Sequence, residues 1–323
     1  VRGNHPTTQE FIDSLTPGWQ RARMENFQAI MLGVPVEEDL TDDGWTHHFG
    51  PNHHPPRDPS WSIQEYMRHA EEFDYQIMEL HRRRVDETVV DKRTAEILKP
   101  YYRYLCRRPC FLDEYYPAFN RPNVTLIDCP AGIDRVNATG LVVNGEQYDV
   151  DLIVYATGFE AEATALSRRA GCTVIGRNGV TLVDKWANGA HSLYGMMTNG
   201  FPNLFVMPAP GQQAVVTVNH TLITVEGAEH IAATVALLEK RGARTFEVTP
   251  EAEQGWIDTI LSTWVDGSSV MAACTPSRIN NEGHPELNFP QNSSYGGGLG
   301  DFFGFKQLLR DWRERGDFAG LHI

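Results

Sequence analysis

Asp151-Leu152-Ile153-Val154-Tyr155-Ala156-Thr157-Gly158-Phe159 is the stretch whose reading decides the fold. After its first residue it runs apolar to Tyr155 without alternation, which predicts a central strand covered on both faces in a parallel sheet. The Thr-Gly that follows ends that strand in a turn, where a glycine permits close backbone approach to a ligand. Upstream, Val124 to Asp128 and Gly140 to Val143 are β-rich runs, and Val143-Asn144-Gly145-Glu146 supplies an Asn-Gly turn. Downstream, Leu204 to Met207 predicts another buried strand, Pro208-Ala209-Pro210-Gly211 a turn, and Asn219 to Lys240 a long helix stopped by Gly242. A strand, a glycine turn and a helix in succession form a geometry that suits nucleotides. The fold class is therefore α/β.

Further out, the text from Phe11 to about Tyr104 is helical and charged. Its clearest helix follows Ser62, which forms a capping box with Glu65, and its stripe of Ile63, Met67, Ala70, Phe73, Ile77 and Leu80 is expected to be buried. Asp42 to Pro59, with its Gly, Pro and four histidines, predicts a loop. Beyond the long helix, a Gly296-Gly297-Gly298-Leu299-Gly300 run and an amphipathic helix near Phe305 to Trp312 are expected to pack as a tail.

Composition narrows the function. A length of 323 residues with 41% hydrophobic content can bury one or two ordinary cores. No window approaches the uninterrupted apolar length of a membrane span, and Val1-Arg2-Gly3-Asn4-His5 lacks a signal-peptide core, so a cytoplasmic setting is the expectation. The formal charge of −14 repels nucleic acid and anionic membranes, and neither is expected as a partner. Five cysteines (Cys106, Cys110, Cys129, Cys172, Cys274), odd in number and scattered, predict reduced thiols rather than a disulfide framework. His47, His48, His53 and His54 lie in a proline-containing loop without the spaced pairs of a zinc site, and no metal is expected from them or from Cys106-x-x-x-Cys110.

Three blocks together carry a family likeness. Asp151 to Phe159 resembles the segment by which flavin-containing and Baeyer–Villiger monooxygenases cross from their NADP domain back to their FAD domain. Leu98-Lys99-Pro100, Cys106-Arg107-Arg108-Pro109, Tyr115-Tyr116 and Phe119-Asn120-Arg121-Pro122-Asn123-Val124 resemble the Baeyer–Villiger block. Gly200-Phe201-Pro202-Asn203-Leu204-Phe205 with Pro210-Gly211 resembles the FAD-domain return strand. The two G-x-G-x-x-G fingerprints that grip pyrophosphates in this family are absent from the sequence, as is the family signature between them. The glycine run at 296–300 fails their spacing. The chain thus resembles a C-terminal half of a two-dinucleotide-domain flavoprotein with a helical insertion.

The resemblance implies boundaries: residues 1–103 as the helical insertion of the NADP domain, 104–156 as the C-terminal part of that domain, and 157–323 as the C-terminal part of the FAD domain. It implies FAD and NADPH as cofactors, a ketone and O2 as substrates, and a missing N-terminal half bearing both fingerprints as partner. The expected reaction inserts one oxygen beside the carbonyl of a bulky or cyclic ketone, giving an ester or lactone. Arg108 matches the family's catalytic arginine, a cation that stays protonated at any working pH. Arg107 stands where a lysine is usual and keeps the charge for an NADPH phosphate. Thr157, Gly158, Phe159 and Gly211 are implied to contact FAD, as are Asn219 and His220, for which helix capping is the rival reading. Cys274 falls where some subfamilies carry a tryptophan, and Arg278 to Gly283 resembles the branch acting on large ketones. Heteroatom oxygenation, as in flavin-containing N- or S-monooxygenases, and a catalytically silent binding piece are the alternative functions.

Overall fold

The computed structural model describes residues 6–48, 60–107, 110, 112–158, 171–298 and 300–323. Its chain separates into two compact units, Val1–Ala70 with Ala161–Ile323, and Glu71–Glu160. In chain order the longer elements are helices α1 (Trp19–Met31), α2 (Ile63–Thr88) and α3 (Lys92–Leu98), then strands β1 (Arg135–Val136), β2 (Gly140–Val143) and β3 (Glu146–Asp149). Helix α4 (His220–Lys240), strand β4 (Glu247–Val248), helices α5 (Pro250–Ser262) and α6 (Phe302–Arg315) and strand β5 (Leu321–His322) complete the series. A short helix, Gly44–His48, lies where the sequence predicts only loop.

The larger unit is organised around α4, α5 and α6. Asp301 caps α6 by accepting the Gly304 N–H at 2.9 Å, and Phe302, Phe305, Leu309 and Trp312 recur at helical spacing, all four fully buried. They pack with Leu222 and Ile223 of α4 and with Trp256 and Ile260 of α5. Each such side chain contributes about 1.5–3 kcal/mol through removal from water. The Trp312 indole donates to the Ala319 carbonyl at 2.9 Å, so its one polar atom is also satisfied. The terminal helix, expected as a tail, is therefore a centre of the core. Its stripe of aromatic residues carries more apolar area than a peripheral helix would bury.

Helix α4 starts where the sequence predicts, with Asn219 as N-cap, and Gly242 beyond its end has a φ of +69°. By length and composition it could cross a bilayer. Within this unit it is instead a core helix, with Leu222, Ile223, Glu226, Gly227, His230, Thr234 and Leu238 buried. At Gly227 the helix meets the ring of Pro208, and a Cβ built there would stand 2.5 Å from the proline Cγ. No larger residue fits without moving one of the two segments.

In the smaller unit, Val85, Val89 and Ala95 form a modest core, against which Leu98, Tyr116 and Phe119 pack. On α2, whose first residues through Ala70 belong to the larger unit, the capping box is present: Ser62 Oγ accepts the Glu65 N–H at 3.2 Å, while Glu65 accepts the Ser62 N–H at 2.8 Å. The expected stripe needs correction, because Leu80 is exposed while Met78 and Val85 are buried. The buried face runs through 78 and 85, a heptad apart, and Leu80 lies off it. Strands β1, β2 and β3 make an antiparallel sheet, with Asn144 and Gly145 both at positive φ between β2 and β3 as a two-residue hairpin turn requires.

Three predicted strands do not form among the described residues. Val124 to Asp128, Asp151 to Tyr155 and Leu204 to Met207 are extended or irregular without ladder partners, although Val206 N–H donates once to the Met196 carbonyl at 2.8 Å. Leu152, Val154 and Tyr155 are 78%, 76% and 76% exposed. An apolar run becomes a strand only when a neighbouring strand takes its N–H and C=O groups, and none of the described segments does so here. The only sheets among the described residues are antiparallel, the three-stranded one and the β4–β5 pair. The thiol expectation also changes: Cys106 and Cys274 are each in a disulfide rather than reduced, while Cys110, Cys129 and Cys172 are free.

Candidate cofactor site

Of the residues singled out from sequence, Gly211, Asn219 and His220 sit on one continuous loop-to-helix segment of the larger unit. Gly211 has a φ of +77°, is exposed, and would have no atom within 4 Å of a Cβ. Its backbone is therefore open to a partner. Asn219 acts as a cap: its Oδ1 accepts the Thr221 N–H at 3.1 Å, and its carbonyl accepts Leu222 N–H at 3.0 Å and the Thr217 hydroxyl at 2.7 Å. The capping reading thus holds for its side-chain oxygen. His220 is exposed at the first position of the helix, where N–H groups lack intrahelical acceptors and carry partial positive charge.

The loop between these residues is fixed from several directions. Gln212, Gln213, Ala214 and Val215 are buried. Gln213 adopts a φ of +65°, unusual for a side chain of its size. Its Oε1 accepts the Ser192 N–H at 2.9 Å and the Ser192 hydroxyl at 2.8 Å, and its carbonyl accepts the Trp256 indole N–H at 3.0 Å. Ala214 takes the Tyr295 N–H at 2.9 Å. A Cβ on Gly300 would stand 2.6 Å from Val215, which places Gly300 against this loop. Gln28 on α1, fully buried, accepts the Val218 N–H at 3.1 Å. Sequence reading passed over Ser192, Gln213, Gln28 and Tyr295; the only local signal is the Gln-Gln pair following Pro210-Gly211.

Helix α1 is tied to α4 by charge. Arg21 pairs with the buried Glu226, with Glu229 and, at 3.1 Å, with Glu25, which also pairs with Lys306 at 2.6 Å. The Glu229 hydrogen bond is the largest influence holding the Arg21 guanidinium above its ordinary range. Burial alone would raise the Glu25 carboxyl, but hydrogen bonds from Lys306 and Arg21 outweigh it and hold the group below its usual value. His230, one turn beyond Glu226, is fully buried between the rings of Tyr194 and Trp312, and neither ring nitrogen has a hydrogen-bond partner among the described residues. Burial pushes its pKa down to about 3, with the Arg313 charge acting in the same direction.

In the smaller unit, Arg107 is exposed and extended after the Tyr104–Cys106 turn. Nearby Tyr102 has its phenol raised by burial, partly offset by the positive charge of Arg107. Thr157 and Gly158 are exposed, Gly158 at a φ of +96° with open space where a Cβ would be. Arg108 and Phe159 lie outside the described residues. A cleft of about 420 Å³ bordered by Ile175, Arg177, Phe201 and Leu204 includes none of the predicted site residues. Among the described residues no group of three His, Cys, Asp or Glu side chains is placed to hold a metal ion.

In the larger unit, Gly211 at positive φ precedes the N-terminus of α4, whose partial positive charge suits an electron-rich group, and two buried amide nitrogens, Gln28 Nε2 and Gln213 Nε2, lack an acceptor among the described residues. No family model matches the sequence. The chain is 43% identical over 328 residues to pentalenolactone D synthase of Streptomyces arenae, covering 100% of this chain and 55% of that protein. It is 40% identical over 323 residues to a Baeyer–Villiger monooxygenase of Streptomyces coelicolor, covering 97% of this chain and 51% of the relative. A solved structure of polycyclic ketone monooxygenase from Thermothelomyces thermophila superposes with a TM-score of 0.83 at 31% identity, over 98% of this chain and 52% of that one. The chain spans about half the length of the relatives it matches. Its fold is accordingly part of the two-dinucleotide-domain flavoprotein fold, and the chain is a relative of the Baeyer–Villiger monooxygenases, matched along its whole length to about half of theirs.

Proposed function

We infer that the chain is the C-terminal portion of an FAD- and NADPH-dependent Baeyer–Villiger monooxygenase acting in the cytoplasm on a bulky or cyclic ketone and O2. The observation that carries this reading is the match, along nearly all of this chain and about half of theirs, to proteins named for that chemistry, one of them a polycyclic ketone monooxygenase at a TM-score of 0.83. Residues 104–156 are assigned to the end of an NADP-binding domain and 157–323 to the end of an FAD-binding domain, with 1–103 as helical insertion. Bound FAD would supply the oxygen-activating chemistry, with NADPH as reductant. The chain's residues supply the surroundings. Gly211 and Gly158 leave room for backbone approach, the α4 N-terminus with Asn219 and His220 offers partial positive charge to an electron-rich ring edge, and Arg107 offers a fork of donors to a phosphate. Arg108, matched by sequence to the family's catalytic arginine, would supply a positive charge that stabilises the anions of the reaction without giving up its proton.

The partner is a polypeptide half bearing both pyrophosphate-gripping fingerprints. Joining this chain to such a half should yield bound flavin and ketone-dependent NADPH oxidation; a colourless complex with no such oxidation overturns the reading. In the active protein, Arg108→Ala should lower ketone conversion by about a hundredfold or more, equivalent to about 3 kcal/mol. Heteroatom oxygenation has no strict use for a cation at that place, so a protein that oxidises a sulfide but no ketone, at a rate Arg108→Ala leaves unchanged, would favour that reading instead.

A further inference from the structure

The loop from Gln213 to Val218 joins two of the proposed FAD contacts, Gly211 and the start of α4, and it has neither helix nor strand to hold it. Two glutamines do so instead. Gln213 fastens its beginning through Ser192, and Gln28, 190 positions away in sequence, fastens its end by accepting the Val218 N–H. In both carboxamides a backbone N–H sets which atom is the oxygen, so the nitrogen necessarily faces elsewhere. Each Nε2 is buried with no acceptor among the described residues. A buried donor left without a partner is destabilising. Gln213 adds a left-handed backbone conformation, which is strained for a side chain of its size and persists only where its surroundings over-determine it.

A loop held for stability alone would be served better by apolar side chains and an unstrained backbone. The same expenditure is common where a segment must keep one shape for a ligand. Resting on the function proposed above, we propose that Gln28 is a positioning residue for FAD. From α1 it clamps Val218 and thereby sets where the α4 N-terminus and the Gly211 backbone stand before the cofactor arrives. Arg21, two turns earlier on the same helix, ties α1 to Glu226 and Glu229, so the clamp is anchored to α4 itself. Gln28 acts through Val218 and not by contact with the flavin, which accords with its complete burial.

The test uses the full-length flavoprotein and three forms of it: wild type, Gln28→Met, which keeps the size and removes the acceptor, and Gln28→Glu, which restores an acceptor for Val218. FAD affinity by fluorescence titration and hydrogen exchange at the Val218 amide are measured on each. In Gln28→Met, Kd for FAD should rise about tenfold, the worth of roughly one hydrogen bond, and Val218 should exchange faster. Gln28→Glu should restore both. A Gln28→Met protein that unfolds earlier yet binds FAD as wild type has lost only a structural contact, and the proposal falls. It falls equally if Val218 exchanges alike in all three, or if Gln28→Glu restores nothing. Wild-type protein that takes up no FAD overturns the function proposed above, and this inference with it, whereas wild-type FAD binding with an unaffected Gln28→Met overturns this inference alone.

Discussion

The core of α4, α5 and α6 and the segment Leu152 to Tyr155 are both strongly apolar in sequence and opposite in fate. Phe302, Phe305, Leu309 and Trp312 are wholly enclosed, while Leu152, Val154 and Tyr155 stand more than three-quarters exposed. The first set lies on a helix, whose backbone bonds are internal, so it needs only other side chains from the same unit to cover it. The second set needs neighbouring strands both to take its hydrogen bonds and to cover its faces. Hydrophobicity thus records what a segment is built to bury, and the supply of partners decides whether it does.

The strongest way to break this contrast is at Trp312. Trp312→Ala should destabilise the larger unit by about 3–5 kcal/mol, since it leaves a cavity and an unpaired Ala319 carbonyl. Urea unfolding followed by circular dichroism checks it, and a loss under about 1 kcal/mol would mean that this core is not what holds the unit.

The same core carries a pH signature at His230. With its folded pKa near 3 and an unfolded value near 6.5, the native state favours the neutral ring. The unfolded chain binds the extra proton first, so stability falls as pH drops below about 6.5 and continues to fall toward 3. Between pH 6.5 and 5 the loss should be about 2 kcal/mol. His230→Phe should flatten that part of the stability curve; an identical slope in the variant would show the ring to be solvated.

Smaller effects sharpen the comparison. Val85→Ala in the thin core of the other unit should cost about 1.5 kcal/mol, from two buried methyl-sized groups. Leu152→Ser should change the stability of the chain alone by no more than about 0.5 kcal/mol, as for an ordinary surface site. Calorimetry of the isolated chain reads both. A Leu152→Ser loss as large as that at Val85 would show that the segment is covered after all.

What was legible in the sequence follows the same division. The Ser62–Glu65 box, the Asn219 cap, the glycine stop at Gly242 and the Asn144-Gly145 hairpin are written in contacts of a few residues, and each is present. The strands at 124–128, 151–155 and 204–207 are not, because strand formation depends on partners far away or on another segment altogether. At the candidate site, the exposed glycines at 158 and 211 stand out in the text. The clamps do not, since Gln28 meets Val218 across 190 positions and Gln213 reaches Ser192 through a side chain that no pattern marks. The stripe on α2 fails by a smaller margin, a shift of phase that turns Leu80 outward and Met78 inward.

The contact between Gly227 and Pro208 has a consequence for how such chains diverge. Val235 and Ala236 on the outer face of α4 are exposed, so substitutions there cost little. Gly227 cannot drift in that way, since any added carbon runs into the proline ring. The two positions are therefore expected to change together or not at all, and this coupled pair should outlast the surface residues as a marker of distant kinship when overall identity has decayed.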